Sequence, residues 1–108
     1  MSDAHTLFSE GRQLMNAGQH EDALQKLGAA LEADPNHALT HLTLCRLLSQ
    51  LNQHDKAIEH GERACQLEPG EQINFTVLSV TYQKALAATG DMRYMELAER
   101  ARDRGMGT

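Results

Sequence analysis

Hydrophobic residues along this chain recur every three or four positions, and polar residues fill the intervals between them. Within residues 20–33, Ala23, Leu27 and Ala30 are spaced i, i+4, i+7, which places them on one face of an α-helix. The same spacing predicts six helices, over about residues 4–17, 20–33, 37–51, 54–67, 72–89 and 91–103. No segment shows the pattern of a β-strand over a useful length. The pattern therefore predicts an all-α protein.

Turn-forming residues separate the predicted helices. Gly18 follows the first helix and Gly90 follows the fifth, as glycines at helix C-termini commonly do. Pro35 and Pro69 follow the second and fourth helices, because the residue before a proline is pushed out of the helical region. The helices are therefore expected to be joined by short connections.

The spacing of the two prolines reveals an internal repeat. When Pro35 is aligned with Pro69, the segment Gly18–Leu24 falls on Asn52–Ile58. We call the interval from Pro35 to Pro69 the repeat period. A fixed period in the range of about 20–50 residues indicates a stack of equivalent units, each packed on its neighbours. We therefore expect three antiparallel helix–turn–helix repeats, stacked as a short right-handed α-solenoid.

The length of 108 residues is typical of one domain, so residues 1–108 are expected to form a single unit. Eight residues separate Tyr82 from Gly90, whereas four separate Leu14 from Gly18, so the first helix of the third repeat is predicted to contain a one-turn insertion. The expected divisions are repeat 1 over about 4–37, repeat 2 over about 38–71, repeat 3 over about 72–104, and a loose tail over 105–108.

The charge of the chain argues against nucleic acid as a partner. The formal net charge is −5, and residues 1–90 carry six Lys or Arg against eleven Asp or Glu. Binding to phosphates requires clustered cations. The one dense basic cluster is Arg100, Arg102 and Arg104, which suits the last turn of a helix because cations complement the helix dipole there.

Other sequence features indicate a cytoplasmic protein without catalytic chemistry. The first residues lack a signal pattern, and no run of about 18 apolar residues could insert into a membrane. Cys45 and Cys65 are isolated and are expected to be buried thiols. No phosphate-binding loop or catalytic constellation is present, so we expect no enzyme activity and no cofactor.

One helix face carries residues that often bind zinc. His37, His41 and Cys45 are spaced i, i+4, i+8. The outer two are separated by a rise of about 12 Å, which is too far for one ion. The sequence therefore predicts no metal site.

Small residues recur at matching positions of the repeats. Gly11, Cys45 and Ser79 are each separated by one repeat period, where the paired helices are expected to approach closely, and Ala23 and Ala57 match in the same way on the second helices. Other positions repeat in the three units: Leu7, Leu14, Leu27, Ala30 and Pro35, then His41, Leu44, Leu48, Gly61, Ala64 and Pro69, then Phe75, Leu78 and Tyr82. At these positions the chain resembles the tetratricopeptide repeat (TPR) family, and the resemblance covers essentially its whole length.

The resemblance implies an adaptor or scaffold that binds another protein. The first helices of such repeats line a concave groove, which holds an extended peptide or a helix of the partner. The matching groove positions here are His5, Phe8, Arg12, Met15, Asn16, Leu39, Leu42, Arg46, Ser49, Gln50, Ile73, Thr76, Val80, Gln83 and Lys84. An apolar strip among them consists of Phe8, Leu39, Leu42 and Ile73.

Two arginines of this groove allow two interpretations. Arg12 and Arg46 are one repeat period apart and are expected to lie on the same face. They are either solvated or paired within the chain, or they bind carboxylates or carbonyls of a ligand, with Asn16 and Gln50 adding hydrogen bonds. The sequence leaves both interpretations open.

One ligand class is unfavourable. Chaperone-binding members of the family hold two carboxylates in a clamp. The clamp consists of Lys and Asn from the first repeat, Asn from the second, and Lys and Arg from the third. The matching positions here are Phe8, Arg12, Thr43, Ile73 and Val77, and four of the five supply neither the charge nor the amide. We therefore do not expect this clamp to hold the acidic tail of a heat-shock protein.

The last helix suggests an alternative function. Its apolar residues point to several sides, and methionine-rich surfaces repack readily against partners. The possible contact residues are Met92, Tyr94, Met95 and Leu97. The alternative is a structural module that homo-oligomerises through its C-terminal repeat, although an end that merely covers the core explains the same residues.

Overall fold

Six helices follow one another in the computed structural model, which describes residues 3–106. Their bounds are α1 Ala4–Asn16, α2 His20–Ala33, α3 Ala38–Gln50, α4 His54–Leu67, α5 Gln72–Thr89 and α6 Arg93–Gly105. These residues include no β-strand. None of the six helices combines the length and the apolar character needed to cross a membrane.

The helices pack as three consecutive pairs. α1 packs on α2, α3 on α4, and α5 on α6, while α2 with α3 and α4 with α5 join neighbouring pairs. The predicted all-α fold of stacked helix–turn–helix repeats is therefore confirmed.

The turn inside each pair depends on a residue in the left-handed conformation. Gly18, Asn52 and Gly90 have φ values of 81°, 63° and 74°. Glycine tolerates such values without strain, and the short side chain of asparagine makes it the next best choice. The amide of Gln19 donates to the Leu14 carbonyl at 2.9 Å, and one repeat period further along the amide of Gln53 donates to the Leu48 carbonyl at 2.9 Å. The first two turns are therefore equivalent in sequence and in hydrogen bonding.

The third pair differs in the length of its first helix. α5 has 18 residues, whereas α1 and α3 have 13 each. α5 continues because its left-handed residue, Gly90, comes later, and the Gly90 amide caps the helix by donating to the Leu86 carbonyl at 2.7 Å. The longer α5 still meets its partner helix, since the Ser79 hydroxyl donates to the Ala98 carbonyl at 2.8 Å.

α6 lies two residues further along the chain than its predicted bounds. It begins at Arg93 because Asp91 Oδ1 accepts a hydrogen bond from the Arg93 amide at 3.1 Å. It continues to Gly105, where an added Cβ would lie 2.5 Å from Thr76 Oγ1, so the end of α6 is closely packed on α5. Of the predicted loose tail 105–108, Gly105 is helical, Met106 caps the helix, and residues 107–108 lie outside the described residues.

The core is assembled where small residues let helices approach. Gly11 of α1 faces Leu27 of α2, and Gly61 of α4 faces Cys45 of α3. Leu27 and Cys45 are completely buried. A cluster around α1, α2 and α3 is continued by clusters shared between α3, α4, α5 and α6, so adjoining repeats complete each other's core.

A pair of histidines connects α3 to α4. His41 Nε2 donates to the Pro35 carbonyl at 2.8 Å, so neutral His41 accepts at Nδ1, and His60 Nδ1 lies 3.0 Å from that atom. His60 therefore donates to His41. Burial and, secondarily, the neighbouring His41 lower the pKa of His60, and Glu59 opposes this shift to a smaller extent.

We expect Gly11→Ala to destabilise the fold. The added Cβ would lie 2.8 Å from Cγ and Cδ2 of Leu27, which is fully buried, and 3.3 Å from the Leu27 backbone nitrogen. Such overpacking costs about 1–3 kcal/mol. Gly28→Ala in α2 is the control, because no atom lies within 4 Å of its added Cβ.

Both substitutions raise helix propensity by about 1 kcal/mol, so their difference isolates the packing effect. Urea denaturation should give a lower free energy of unfolding for Gly11→Ala than for Gly28→Ala. Equal values would contradict the close approach of α1 and α2.

The stability of the fold should fall in mildly acidic solution. Because the pKa of His60 is lowered from its usual value of about 6.5, the unfolded chain binds more protons than the folded chain just below that pH. This contribution to stability is complete above pH 6.5 and is lost as the pH falls towards the lowered pKa. Urea denaturation at a series of pH values measures the effect.

His60→Gln should flatten the pH dependence of stability in this range, whereas the same substitution at the exposed His5 should leave it in place. An unchanged profile for His60→Gln would show that the histidine pair does not cause the dependence.

Candidate functional site

The first helices of the three repeats form a continuous row. α1 packs beside α3 and α3 beside α5, whereas within residues 3–106 the backbones of α2 and α4, and those of α4 and α6, do not approach each other closely. We call the solvent-exposed surface of α1, α3 and α5 the first-helix face. It is the one surface to which all three repeats contribute adjacent helices.

Charge is distributed unequally between the two sets of helices. α1, α3 and α5 contain three cations, Arg12, Arg46 and Lys84, and one carboxylate, Glu10. Glu10 is paired with Lys26 of α2 at 3.6 Å. α2, α4 and α6 together contain nine carboxylates and seven cations. The first-helix face is therefore positive in a protein whose net charge is negative.

A cavity of about 370 Å³ opens on this face between α3 and α5. Arg46 lies on one wall and Lys84 on the other. No carboxylate lines the cavity, whose complete lining is Arg46, Ser49, Gln50, Thr76, Val77, Val80, Thr81 and Lys84. The arrangement offers hydrogen-bond donors and positive charge above a partly apolar floor.

The cavity continues into a neighbouring hollow. This hollow of about 450 Å³ shares Ser49, Gln50 and Lys84 with the first and extends to Asn52 and His54 at the turn after α3. The two together form a trough along α3 and α5, and no carboxylate lines either part.

The Ser49 hydroxyl has no hydrogen-bond partner among the described residues, and only 6% of the residue is exposed. Most buried polar groups in folded proteins are paired. The hydroxyls of Thr76, Thr81 and Thr89 each donate to the carbonyl four residues earlier. Ser49 differs from them in having a free donor in the wall of the trough.

Cys45 lies beneath the same region. Its thiol contacts the Thr81 hydroxyl at 3.1 Å. Burial raises the pKa of the Cys45 thiol, and the Thr81 hydrogen bond and the charges of Arg46 and Lys84 oppose this rise. Burial is also the main reason that the pKa of Cys65 is raised to about 11. Both thiols therefore stay protonated at neutral pH and are poor nucleophiles.

The predicted groove residues of the first repeat do not line the trough. Phe8 is buried in the core, and its ring forms a triangle with the rings of His5 and His37, whose centroids lie 5.8 and 5.4 Å from that of Phe8 and 5.9 Å from each other. Arg12 lies over the Phe8 ring at 5.7 Å. Met15 is partly buried against the core. Asn16 is exposed.

The second and third repeats supply most of the trough. Among the predicted groove residues, those that line it are Arg46, Ser49, Gln50, Thr76, Val80 and Lys84. Leu42 is buried in the core, while Leu39 and Ile73 are about half exposed on the same helices. Gln83 lines a different hollow, which it shares with Met95 of α6, and its amide donates to the Ser79 hydroxyl within α5 at 3.3 Å.

Val77 and Thr81 line the cavity but were not predicted as groove residues. Their helical spacing could have identified them, since Thr76, Val77, Val80, Thr81 and Lys84 form an i, i+1, i+4, i+5, i+8 series on one face of α5. Alignment of the repeats did not identify them, because it only transfers positions already assigned in α3 to the equivalent positions of α5.

The possible oligomer surface on α6 divides into two parts. Met92 and Met95 are exposed, at 61% and 43%. Tyr94 and Leu97 instead pack against the core shared by α5 and α6, and the Tyr94 ring stacks on Tyr82 at 6.1 Å.

The residues with zinc-like spacing have other partners. His37 Nδ1 hydrogen-bonds to the Thr40 hydroxyl at 2.7 Å, His41 connects to Pro35 and His60, and Cys45 contacts Thr81. In the part of the chain from residue 3 to 106, no three potential metal ligands come together.

Comparisons with known proteins agree with this architecture. The chain is 30% identical over 69 residues to the small glutamine-rich tetratricopeptide repeat-containing protein 2 of Mycosarcoma maydis, a match that covers 64% of this chain and 20% of that protein. The chain thus spans about a fifth of the length of this curated relative.

A solved structure shows the same fold. The crystal structure of the Sgt2 TPR domain from Aspergillus fumigatus superposes with a TM-score of 0.73 at 22% identity, covering 94% of this chain and 68% of the other. The family model described as tetratricopeptide repeat matches residues 14–71, which is more than half of the chain. Together with the three stacked hairpins, this match shows that the chain belongs to the tetratricopeptide repeat family.

Proposed function

We propose that this chain is a non-enzymatic adaptor that binds a peptide or helix of another protein on the first-helix face. The observation that supports this most directly is the trough between α3 and α5, whose walls carry unpaired donors and positive charge. Ligand sites in proteins combine an apolar concave surface with a few polar groups that fix orientation. The trough has this composition.

Exposed apolar residues beside the trough support the same proposal. Leu39 and Ile73 occupy equivalent positions of repeats two and three, and their exposed fractions are 50% and 53%. Val80 adds a third exposed apolar side chain on α5. Two equivalent apolar residues on adjacent helices can contact successive side chains of one bound segment. Such spacing suits a ligand that binds as an extended peptide or as a helix.

Self-association through α6 is the competing function. Met92, Met95 and Met106 are the other large hydrophobic side chains that are exposed among the described residues. Exposed apolar patches can mark interfaces, and methionine adapts to different partners. Since Tyr94 and Leu97 already pack on the core, a dimer would have to rest mainly on the methionines.

The double variant Arg12→Glu and Arg46→Glu should abolish partner capture without changing the oligomeric state. It reverses two positive charges on the first-helix face, where an acidic or carbonyl-rich ligand would be repelled. Affinity capture with mass spectrometry measures the first effect, and sedimentation at micromolar concentration measures the second.

A matched control reverses two charges on the opposite set of helices. Lys56→Glu and Arg63→Glu on α4 change the net charge by the same amount and should leave capture intact. Loss of capture in both double variants would indicate a general charge effect. An oligomer that dissociates while capture persists would favour the α6 interface.

A further inference from the structure

We propose that the trough between α3 and α5 recognises an acidic side chain, Asp or Glu, within the segment that binds there. This inference rests on the proposed function and specifies its ligand. The site consists of Arg46, Ser49 and Lys84, which line one cavity and carry a guanidinium, a hydroxyl and an ammonium group. The Ser49 oxygen is buried in the cavity wall, so a ligand reaches it by rotation of this short side chain.

The first argument is the set of donors. Ser49 has a buried hydroxyl without a partner among the described residues. A hydroxyl, an ammonium and a guanidinium group can all donate, and the last two cannot accept. An ionised carboxylate only accepts, with about four lone-pair positions, so one carboxylate can satisfy all three groups. Hydrogen bonds that join charged partners are also stronger than neutral ones.

The second argument is that the two cations have no acidic partner in the part of the chain that the structure describes. Within residues 3–106, neither Arg46 nor Lys84 forms a salt bridge or a hydrogen bond with a carboxylate. The other cations before residue 91 either have a carboxylate partner or do not line the trough. Lys26 pairs with Glu10, and Arg63 hydrogen-bonds to Asn36 at 3.0 Å.

The third argument concerns the source of the carboxylate. On one side the neighbouring hollow continues the cavity to Asn52 and His54, and on the other side the exposed Leu39 and Ile73 extend the first-helix face along the same two helices. A bound chain can therefore pass along α3 and α5 beyond Arg46 and Lys84. This geometry suits a side chain in the interior of a segment better than a terminal carboxylate, which would require the ligand to end in the cavity.

The experiment begins with selection of nine-residue peptides, displayed on phage, against the intact chain. Peptides that bind should share one Asp or Glu at a fixed position. Each is then synthesised with a blocked C-terminus, as a Glu and a Gln version, and the affinities are measured by fluorescence anisotropy. The Glu version should bind about tenfold more tightly, and this difference should shrink at high salt.

Protein variants locate the interaction. In Arg46→Gln with Lys84→Gln, the Glu and Gln peptides should bind equally, because the charged partners are gone. Arg63→Gln with Lys56→Gln on α4 is the matched control and should keep the preference, since neither residue lines the trough.

Ser49→Ala separates recognition from folding. It should weaken binding of the Glu peptide several-fold. The stability of the free protein should be unchanged or higher, because the lost hydroxyl has no hydrogen-bond partner in the free protein. Ser79→Ala is the matched control and should lower stability, because the Ser79 hydroxyl donates to the Ala98 carbonyl.

The outcomes distinguish the two proposals. If no peptide binds, the proposed function fails and the acidic ligand with it. If peptides bind without a fixed acidic residue, or only with a free C-terminal carboxylate, binding on the first-helix face stands and this inference is overturned. A preference for Glu that survives in the Arg46 and Lys84 variant also overturns it.

Discussion

The close approach of two helices within each hairpin is the constraint on which the whole structure depends. In the first pair Gly11 accepts the side chain of Leu27, and in the second Gly61 accepts Cys45, so a small residue faces a larger one at each crossing. In the third pair the Ser79 hydroxyl hydrogen-bonds to the Ala98 carbonyl at the equivalent place. Because each core is completed by the adjoining repeat, this spacing also sets the distance between α1, α3 and α5, and hence the width of the trough.

The helix positions could be predicted from the sequence because their signals are local. The bounds of α2, α4 and α5 follow from the apolar spacing, the prolines and the turn residues Asn52 and Gly90. The predicted α6 begins two residues too early because its start depends on the hydrogen bond from the Arg93 amide to the Asp91 side chain, and its end on packing against Thr76. The hydrogen bond to Asp91 leaves only a weak signal in the sequence, and the packing against Thr76 joins residues that are far apart along the chain.

The candidate site was less predictable, because it depends on how different repeats are oriented. The repeat period assigns Phe8 and Leu42 to the groove, but the structure buries both in the core. His5 and His37 contact the Phe8 ring, and His37 comes from the connection before α3, so no pattern within α1 reveals the burial. Likewise, the lack of a partner for Ser49 becomes evident only when α3 and α5 are placed side by side.

The separation of charge between the helices has a consequence for encounter with other molecules. α2 and α4 carry six carboxylates against three cations, while α3 and α5 carry two cations and no carboxylate. The charges of these four helices therefore make the side of α3 and α5 positive relative to the side of α2 and α4. Negatively charged partners should be turned towards α3 and α5 while still diffusing, and this guidance fades beyond about 8 Å at physiological ionic strength. Association rates should thus respond to salt more than dissociation rates do.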